Sequence, residues 1–137
     1  MSAETTITAD CEHGAWIVHV GGPLDAHGVL RLCASLSRLT HLGTHDLVVD
    51  LQPVSEADED ALAALASAGR LASRAGLGFA VLAPGGAARR AIDTAGLGDA
   101  LHVCDAEREA IARVAADSHR TRRRTAVTAQ QLQGEAA

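Results

Sequence analysis

Residues 45–76 read HDLVVDLQPVSEADEDALAALASAGRLASRAG, a strand pattern followed closely by a helix pattern. The segment 45–51 is a compact apolar run of the length of a buried strand. The segment 61–76 places small apolar residues at helical spacing and ends at a glycine, a residue that commonly stops helices. A buried strand that feeds an amphipathic helix predicts an α/β fold with a parallel sheet.

The same alternation continues on both sides of this stretch. Upstream, two β-rich runs around a turn signal predict a hairpin, and the helix that follows is stopped by Gly43. The predicted strands are 5–10, 15–22, 45–51, 76–83 and 100–104, and the predicted helices are 26–42, 61–76, 86–95 and 106–116, the last with Asp105 as its N-cap. We therefore predict an α/β domain with a mainly parallel sheet of four to five strands and about four helices.

Length and composition favour one domain with a tightly packed aliphatic core. The chain has 137 residues, and Trp16 and Phe79 are its only aromatic residues. Residues 1–117 carry 8 arginines against 16 acidic side chains, a net charge of −8, whereas 118–137 carry a net charge of +3. We assign the domain to residues 1–117, and we interpret residues 118–137, which lose the helical periodicity, as a flexible Arg-rich tail.

Several classes of protein are disfavoured by the sequence. The three cysteines stand far apart without a C-x-x-C pair, which fits a reducing compartment. The N-terminus lacks a signal pattern, and no apolar run approaches the roughly 20 residues that span a bilayer. The acidic body would repel nucleic acid. We expect a cytoplasmic protein without membrane insertion or direct nucleic-acid binding.

Four carboxylates, those of Glu56, Asp58, Glu59 and Asp60, crowd into the entry to the second helix. Acidic residues in a first turn stabilise a helix by about 0.3–1 kcal/mol each, and Asp58 or Ser55 could serve as its cap. The ligand alternation of a calcium loop is absent, and no motif supplies a partner for acid–base chemistry. We therefore predict no metal, no cofactor and no catalytic residue. A helix cap and a recognition surface stay open as alternatives.

From about residue 15 to residue 112 the chain resembles a STAS domain, the fold of bacterial anti-sigma factor antagonists. Four segments carry the resemblance, in the family's order and spacing: WIVHVGGPLDA at 16–26, HDLVVDLQPVS at 45–55, Ala61-Leu62, and AIDTAGLGDALHVCDAEREAIA at 91–112. The resemblance implies a STAS-type single domain.

The family carries a D-S-S-G-L signature where this chain has Asp58-Glu59-Asp60-Ala61-Leu62. In the family, the second serine accepts phosphate from a partner kinase that is also the anti-sigma factor. Asp60 occupies that phosphoacceptor position and cannot be phosphorylated as a serine can. The resemblance thus implies that the usual phosphorylation switch is absent and that a permanent charge stands in its place.

The resemblance also implies which residues meet a partner: Asp25, Asp58, Glu59, Asp60 and Leu62. Asp25 has capping of the first helix as its alternative role, and Ser55 is a candidate secondary phosphosite. The implied function is a non-enzymatic module that docks on an anti-sigma factor or kinase-like regulatory protein to control sigma-factor-dependent transcription. The alternative is an adaptor subunit of another assembly, such as an ABC-type lipid transporter or a stress-signalling complex. Whether the chain forms a homodimer stays open.

Overall fold

The computed structural model describes residues 4–120, and the chain opens there with the predicted hairpin. Strand β1, Thr6–Glu12, pairs antiparallel with β2, Ala15–Leu24. The two residues between them, His13 and Gly14, have φ angles of 52° and 78°. Two consecutive positive φ angles are typical of the turns that join twisted hairpin strands, so the local sequence suffices to form this turn.

The remaining elements alternate between strands and helices. They are α1 Ala26–Leu42, β3 Asp46–Asp50, β4 Val54–Ala57, α2 Glu59–Arg74, β5 Phe79–Leu82, α3 Gly86–Ala95, α4 Gly98–Leu101, β6 Val103–Cys104 and α5 at residues 107–120. The sheet order is β1-β2-β3-β5-β6, with β4 paired to the end of β2. Every pairing except β1 with β2 is parallel. The predicted α/β class with a mainly parallel sheet is confirmed.

The sheet separates two apolar clusters because alternate side chains of a strand point to opposite faces. Val18 and Val20 of β2 belong to the main core, which also contains buried residues of α1, α2 and α3. Ile17 of β2 belongs to a smaller cluster on the other face, where it packs with Ala110 and Val114 of α5. The helices α1 and α2 therefore lie on one face of the sheet, and α5 lies on the other.

Strand β4 is one of two elements that the sequence did not predict, the other being the short helix α4. Its four residues, VSEA, contain only two apolar side chains and pair with the end of β2. Ser55 therefore lies in a strand, and of the two cap candidates left open by the sequence, Ser55 is excluded. Helix α2 starts at Glu59 with Asp58 in the N-cap position, but the Asp58 side chain makes no capping hydrogen bond.

Near the C-terminal end, two details differ from the prediction. The expected strand 100–104 is shortened to β6 because α4 occupies 98–101. Asp105 is not the N-cap of α5: the helix begins at residue 107, and the Asp105 carboxylate accepts a hydrogen bond of 2.6 Å from Arg89.

Helix α5 runs on through residue 120, so the predicted domain boundary after residue 117 falls inside a helix. Ser118 is only 3% exposed, and its hydroxyl donates to the Asp46 carboxylate over 3.1 Å. Asp46 also accepts a hydrogen bond of 2.9 Å from the Gly78 backbone. The end of α5 is therefore fixed at the amino ends of the parallel strands. Residues 121–137 of the predicted tail lie outside the described residues.

Candidate functional site

The ends of β2 and β4 lie side by side and bring two separate loops together. Leu24 of β2 pairs with Ala57 of β4, and the backbone N–H of Asp58 donates to the Leu24 carbonyl over 3.0 Å. Asp25 and Asp58 directly follow these paired residues, at the starts of α1 and α2. Both therefore lie at the carboxyl edge of the parallel strands, where open α/β sheets usually bind their ligands.

The N-terminal segment fixes the loop that carries Asp25. The Thr5 hydroxyl donates to the Pro23 carbonyl over 2.5 Å, and Arg31 of α1 donates to the Thr5 carbonyl over 2.7 Å. A Cβ atom at Gly28 would lie 2.1 Å from the Thr5 hydroxyl, so only glycine lets the segment pass this close to α1. The Asp25 loop is therefore held from two sides.

Asp25 itself caps α1. Its backbone is extended, with φ of −109°, and its carboxylate accepts a hydrogen bond of 2.8 Å from the Gly28 N–H. The alternative role that the sequence left open for Asp25 is thus confirmed. Since the side chain remains exposed, contact with a partner stays a prediction.

Asp58, Glu59 and Asp60, called the acidic turn from here on, are all exposed. Glu59 and Asp60 lie in the first turn of α2, where the helix dipole stabilises negative charge. Within residues 4–120, none of the three side chains makes an ion pair or a side-chain hydrogen bond. The acidic turn therefore presents a concentrated negative charge to solvent.

Leu62 does not belong to this surface. Its side chain is 0% exposed and lies in the main core. The prediction that Leu62 contacts a partner is therefore corrected. Its match to the family signature reflects packing of α2 against the sheet, since the fourth residue of this helix faces inward.

Leu30 is the surface residue that the sequence did not reveal. It is 71% exposed, and together with Ala26, Val29 and the acidic turn it lines an open groove of about 530 Å³. The sequence contains a weak signal for this exposure. Leu30 does not share the helical face of Val29, Leu32 and Leu36, which α1 buries. We call Asp25, Leu30 and the acidic turn together the carboxyl-edge surface.

Ser55 lies on β4, next to this surface in sequence, and is exposed. Glu56, the fourth carboxylate of the cluster, is also exposed on β4, opposite Pro23 of β2. Both side chains are accessible, and phosphorylation of Ser55 stays a prediction.

A second polar group lies across the sheet, on the face that α5 covers. His19 of β2 places Nδ1 2.9 Å from the Asp50 carboxylate and Nε2 3.3 Å from that of Asp10. The hydrogen bond to Asp50 is the main cause that raises the pKa of His19, with a further contribution from Asp10. Asp50 also accepts a hydrogen bond of 2.9 Å from the Gln52 N–H. With both ring nitrogens engaged, this group links three strands and supports the turn toward β4.

The described part of the chain contains neither a metal-binding cluster nor a membrane-spanning helix. Among residues 4–120, no three His, Cys, Asp or Glu side chains are grouped so that they could hold a metal ion. Over the same residues, every helix is too short or too polar to cross a bilayer.

Comparisons with known proteins agree with the fold. The STAS domain family model matches residues 6–110. No curated protein sequence matches the chain significantly. Among solved structures, the chain is similar to an anti-sigma factor antagonist from Mycobacterium paratuberculosis, with 26% identity and a TM-score of 0.69 over 83% of this chain and 98% of that chain.

Two further similar structures show the same fold at lower identity. The anti-sigma factor antagonist SpoIIAA in its unphosphorylated form has 20% identity and a TM-score of 0.59, with 80% of this chain and 97% of that chain covered. The phosphorylated form of SpoIIAA, a Bacillus cell fate determinant, has 20% identity and a TM-score of 0.57, with 80% and 99% covered.

Proposed function

Because this chain belongs to the STAS domain family, we propose that it is a non-enzymatic regulatory module that binds a protein partner through its carboxyl-edge surface. Its similarity to an anti-sigma factor antagonist favours an anti-sigma factor or a serine-kinase-like regulatory protein as that partner. Binding would then control sigma-factor-dependent transcription. The observation that carries the proposal is the exposed acidic turn, unpaired within the described chain, beside Asp25 and the exposed Leu30.

The chemistry of this surface suits recognition better than catalysis. Its side chains are carboxylates and one leucine on an open groove, and the carboxylates are in contact with water. Acid–base chemistry needs a site that excludes water and separates the pKa values of its groups. A charged rim beside an exposed apolar side chain is instead the usual arrangement of a protein-binding surface.

Asp60 gives this surface a fixed charge where the family has a switch. A phosphoserine carries a charge of about −1.5 to −2 at pH 7, and the carboxylates of Glu59 and Asp60 together carry a similar charge permanently. The first turn of α2 stabilises that charge through its unpaired N–H groups. We infer that the carboxyl-edge surface always presents the same charge to a partner, and that no kinase changes this charge at position 60.

Affinity capture from the native cell tests the proposed surface. Tagged wild type, Glu59→Ser and Asp60→Ser are compared with Asp99→Ser, which removes an exposed carboxylate from the first turn of α4. We expect the two acidic-turn variants to change the amount of a captured regulatory protein by about tenfold, while Asp99→Ser captures it as wild type does. Equal recovery by all four forms would exclude the acidic turn as the determinant of binding.

A kinase assay tests whether the acidic turn lacks the phosphorylation switch of the family. Wild type and Asp60→Ser are incubated with the captured partner and labelled ATP, and phosphate is located by mass spectrometry. We expect the wild type to remain unlabelled. Stoichiometric phosphate on the wild-type turn, including Ser55, would show that a switch exists after all.

A further inference from the structure

The outer sides of α1 and α2 form an apolar seam. Both helices cover the same face of the sheet, and both begin at its carboxyl edge. The seam encloses a groove of about 420 Å³, whose lining includes Leu36, Ser37, Thr40, Ser67, Ala68 and Leu71. The groove is concave because most of these side chains are small, with Leu36 forming its buried floor.

Two grooves lie between α1 and α2, and one exposed leucine lines each of them. Among residues 4–120, three large apolar side chains are exposed: Leu30, Leu42 and Leu71, at 71%, 61% and 61%. Leu71 lines the seam, and Leu30 lines the groove beside the acidic turn. Apolar side chains aligned on one surface, rather than scattered singly, are typical of an interaction site.

The seam is continuous with the carboxyl-edge surface. On α2, Asp60, Ala64, Ser67, Leu71 and Arg74 follow one another at intervals of three and four residues, so they share one helical face. The distance along the axis from Asp60 to Leu71 is about 16 Å, or about three helical turns. A single extended binder can therefore touch the acidic turn at one end and Leu71 at the other.

The charges at the two ends of this face are opposite. Glu59 and Asp60 lie at the beginning of α2, and Arg74 lies in its last turn. Arg70 donates to the Ser67 hydroxyl over 2.8 Å, which places its guanidinium beside the groove. A binder that matches this surface carries basic residues at one end and acidic residues at the other.

We propose that the α1–α2 seam binds an amphipathic helix of a partner protein. Its apolar face contacts Leu30 and Leu71, its basic C-terminal turn lies against Glu59 and Asp60, and its acidic N-terminal turn lies against Arg74. This direction places the partner helix antiparallel to α2, with each charged turn complementing the helix dipole of its own helix. The inference rests on the proposed function and extends it by naming the chemistry of the partner.

Peptide binding to the full chain tests the seam. The probe is a synthetic helical peptide of about 14 residues, with leucines at i, i+4, i+7 and i+11, glutamates in its first turn and arginines in its last. A twin peptide has the two charged turns exchanged. Binding is followed by amide chemical shifts of the ¹⁵N-labelled protein and by fluorescence anisotropy. We expect shifts at Ser37, Thr40 and Ser67, and about tenfold weaker binding of the twin.

Three variants locate the contact. Leu71→Ser is expected to weaken peptide binding about tenfold, and Ala68→Arg, which fills the groove, by more than tenfold. Leu42→Ser removes a leucine of equal exposure that does not line the groove and is expected to leave the affinity unchanged. Thermal unfolding of each variant verifies that the fold is retained.

Several results would contradict the proposal that the seam binds a partner helix. They are an unshifted spectrum at millimolar peptide, equal binding of the twin, equal weakening by Leu42→Ser and Leu71→Ser, or a Leu71-dependent dimer in light scattering, which would assign the seam to a second copy. Cellular capture separates the two proposals. If Asp60→Ser changes the captured protein and Leu71→Ser does not, the seam is wrong and the proposed function stands. If Leu71→Ser changes the captured protein and Asp60→Ser does not, the acidic turn has no role in binding, and the seam remains as the binding surface.

Discussion

Replacing Gly69 with alanine should destabilise the fold, although alanine is the better helix former. Gly69 is buried in the middle of α2, where the helix lies against Phe79 of β5. A Cβ atom at Gly69 would lie 2.5 Å from Cδ1 and 2.6 Å from Cε1 of the Phe79 ring. Carbon atoms in good contact are about 3.5–4.0 Å apart, so the helix and the ring would have to separate by about 1 Å.

The expected loss is the difference between two opposing effects. Alanine gains about 1 kcal/mol over glycine as a helix residue. Overpacking a core by one methyl group costs about 1–3 kcal/mol, and Phe79 lies in the main core with only 2% exposure. The free energy of unfolding should therefore fall by about 1 kcal/mol.

Urea unfolding measures this loss, with Gly98→Ala as the control. A Cβ atom at Gly98, in α4, would meet nothing within 4 Å, so that variant should be neutral or slightly more stable. The double variant Gly69→Ala/Phe79→Leu should lose less stability than the sum of the losses of the two single variants, because the smaller side chain at 79 makes room for the new methyl group. A Gly69→Ala protein more stable than wild type, with an unchanged m-value, would refute the close packing of α2 on β5.

Three further changes probe the contacts that hold the site and the sheet. Asp25→Ala should lower the free energy of unfolding by about 1 kcal/mol because α1 loses its cap, whereas Asp25→Asn should stay within a few tenths. His19 has a pKa raised by Asp50, so its contribution is fully present below the unfolded pKa of about 6.5 and is lost as the pH rises through the folded pKa. The stability difference between wild type and His19→Gln should therefore be larger at pH 5.5 than at pH 8.5, by several tenths of a kcal/mol because the pair is partly exposed. Ser118→Ala should cost about 1 kcal/mol, since Asp46 loses one of its two donors.

Each of these is measured by urea unfolding, and each has a result that would count against it. Equal stability of Asp25→Ala and Asp25→Asn would mean that the cap contributes nothing to α1. A pH-independent difference for His19→Gln would mean that the histidine is not paired with Asp50 in solution. An unchanged Ser118→Ala protein would place the end of α5 away from Asp46.

The elements that the sequence predicted well are those formed by local contacts. Helix α1 has the predicted bounds, and its cap at Asp25 and its stop at Gly43 lie within one turn of its ends. Helix α3 also has its predicted bounds. Strand β4 was missed because its four residues carry no clear alternation, and it exists by pairing with the end of β2, about 30 residues earlier.

The site was also predicted only in part, because some of its features depend on local sequence and others on long-range contacts. The position of the acidic turn follows from the boundary between a strand and a helix, which the sequence marks. Leu62 was assigned to the surface from a family signature, but the periodicity of α2 turns it inward. Ser118 was assigned to a tail because the partner that buries it, Asp46, is 72 residues away in the chain.

By itself, the sequence determined the α/β alternation, the opening hairpin, the cap and stop of α1 and the charge at the entry to α2. These features depend on residues within one turn of a helix or one hairpin, so spacing and residue type are enough to predict them. Only the tertiary structure decided that β4 lies beside the end of β2, and hence that Asp25 and the acidic turn follow neighbouring strand ends. It also decided that Leu30 and Leu71 stay exposed, each lining a groove between α1 and α2, because exposure depends on how two helices pack on a sheet.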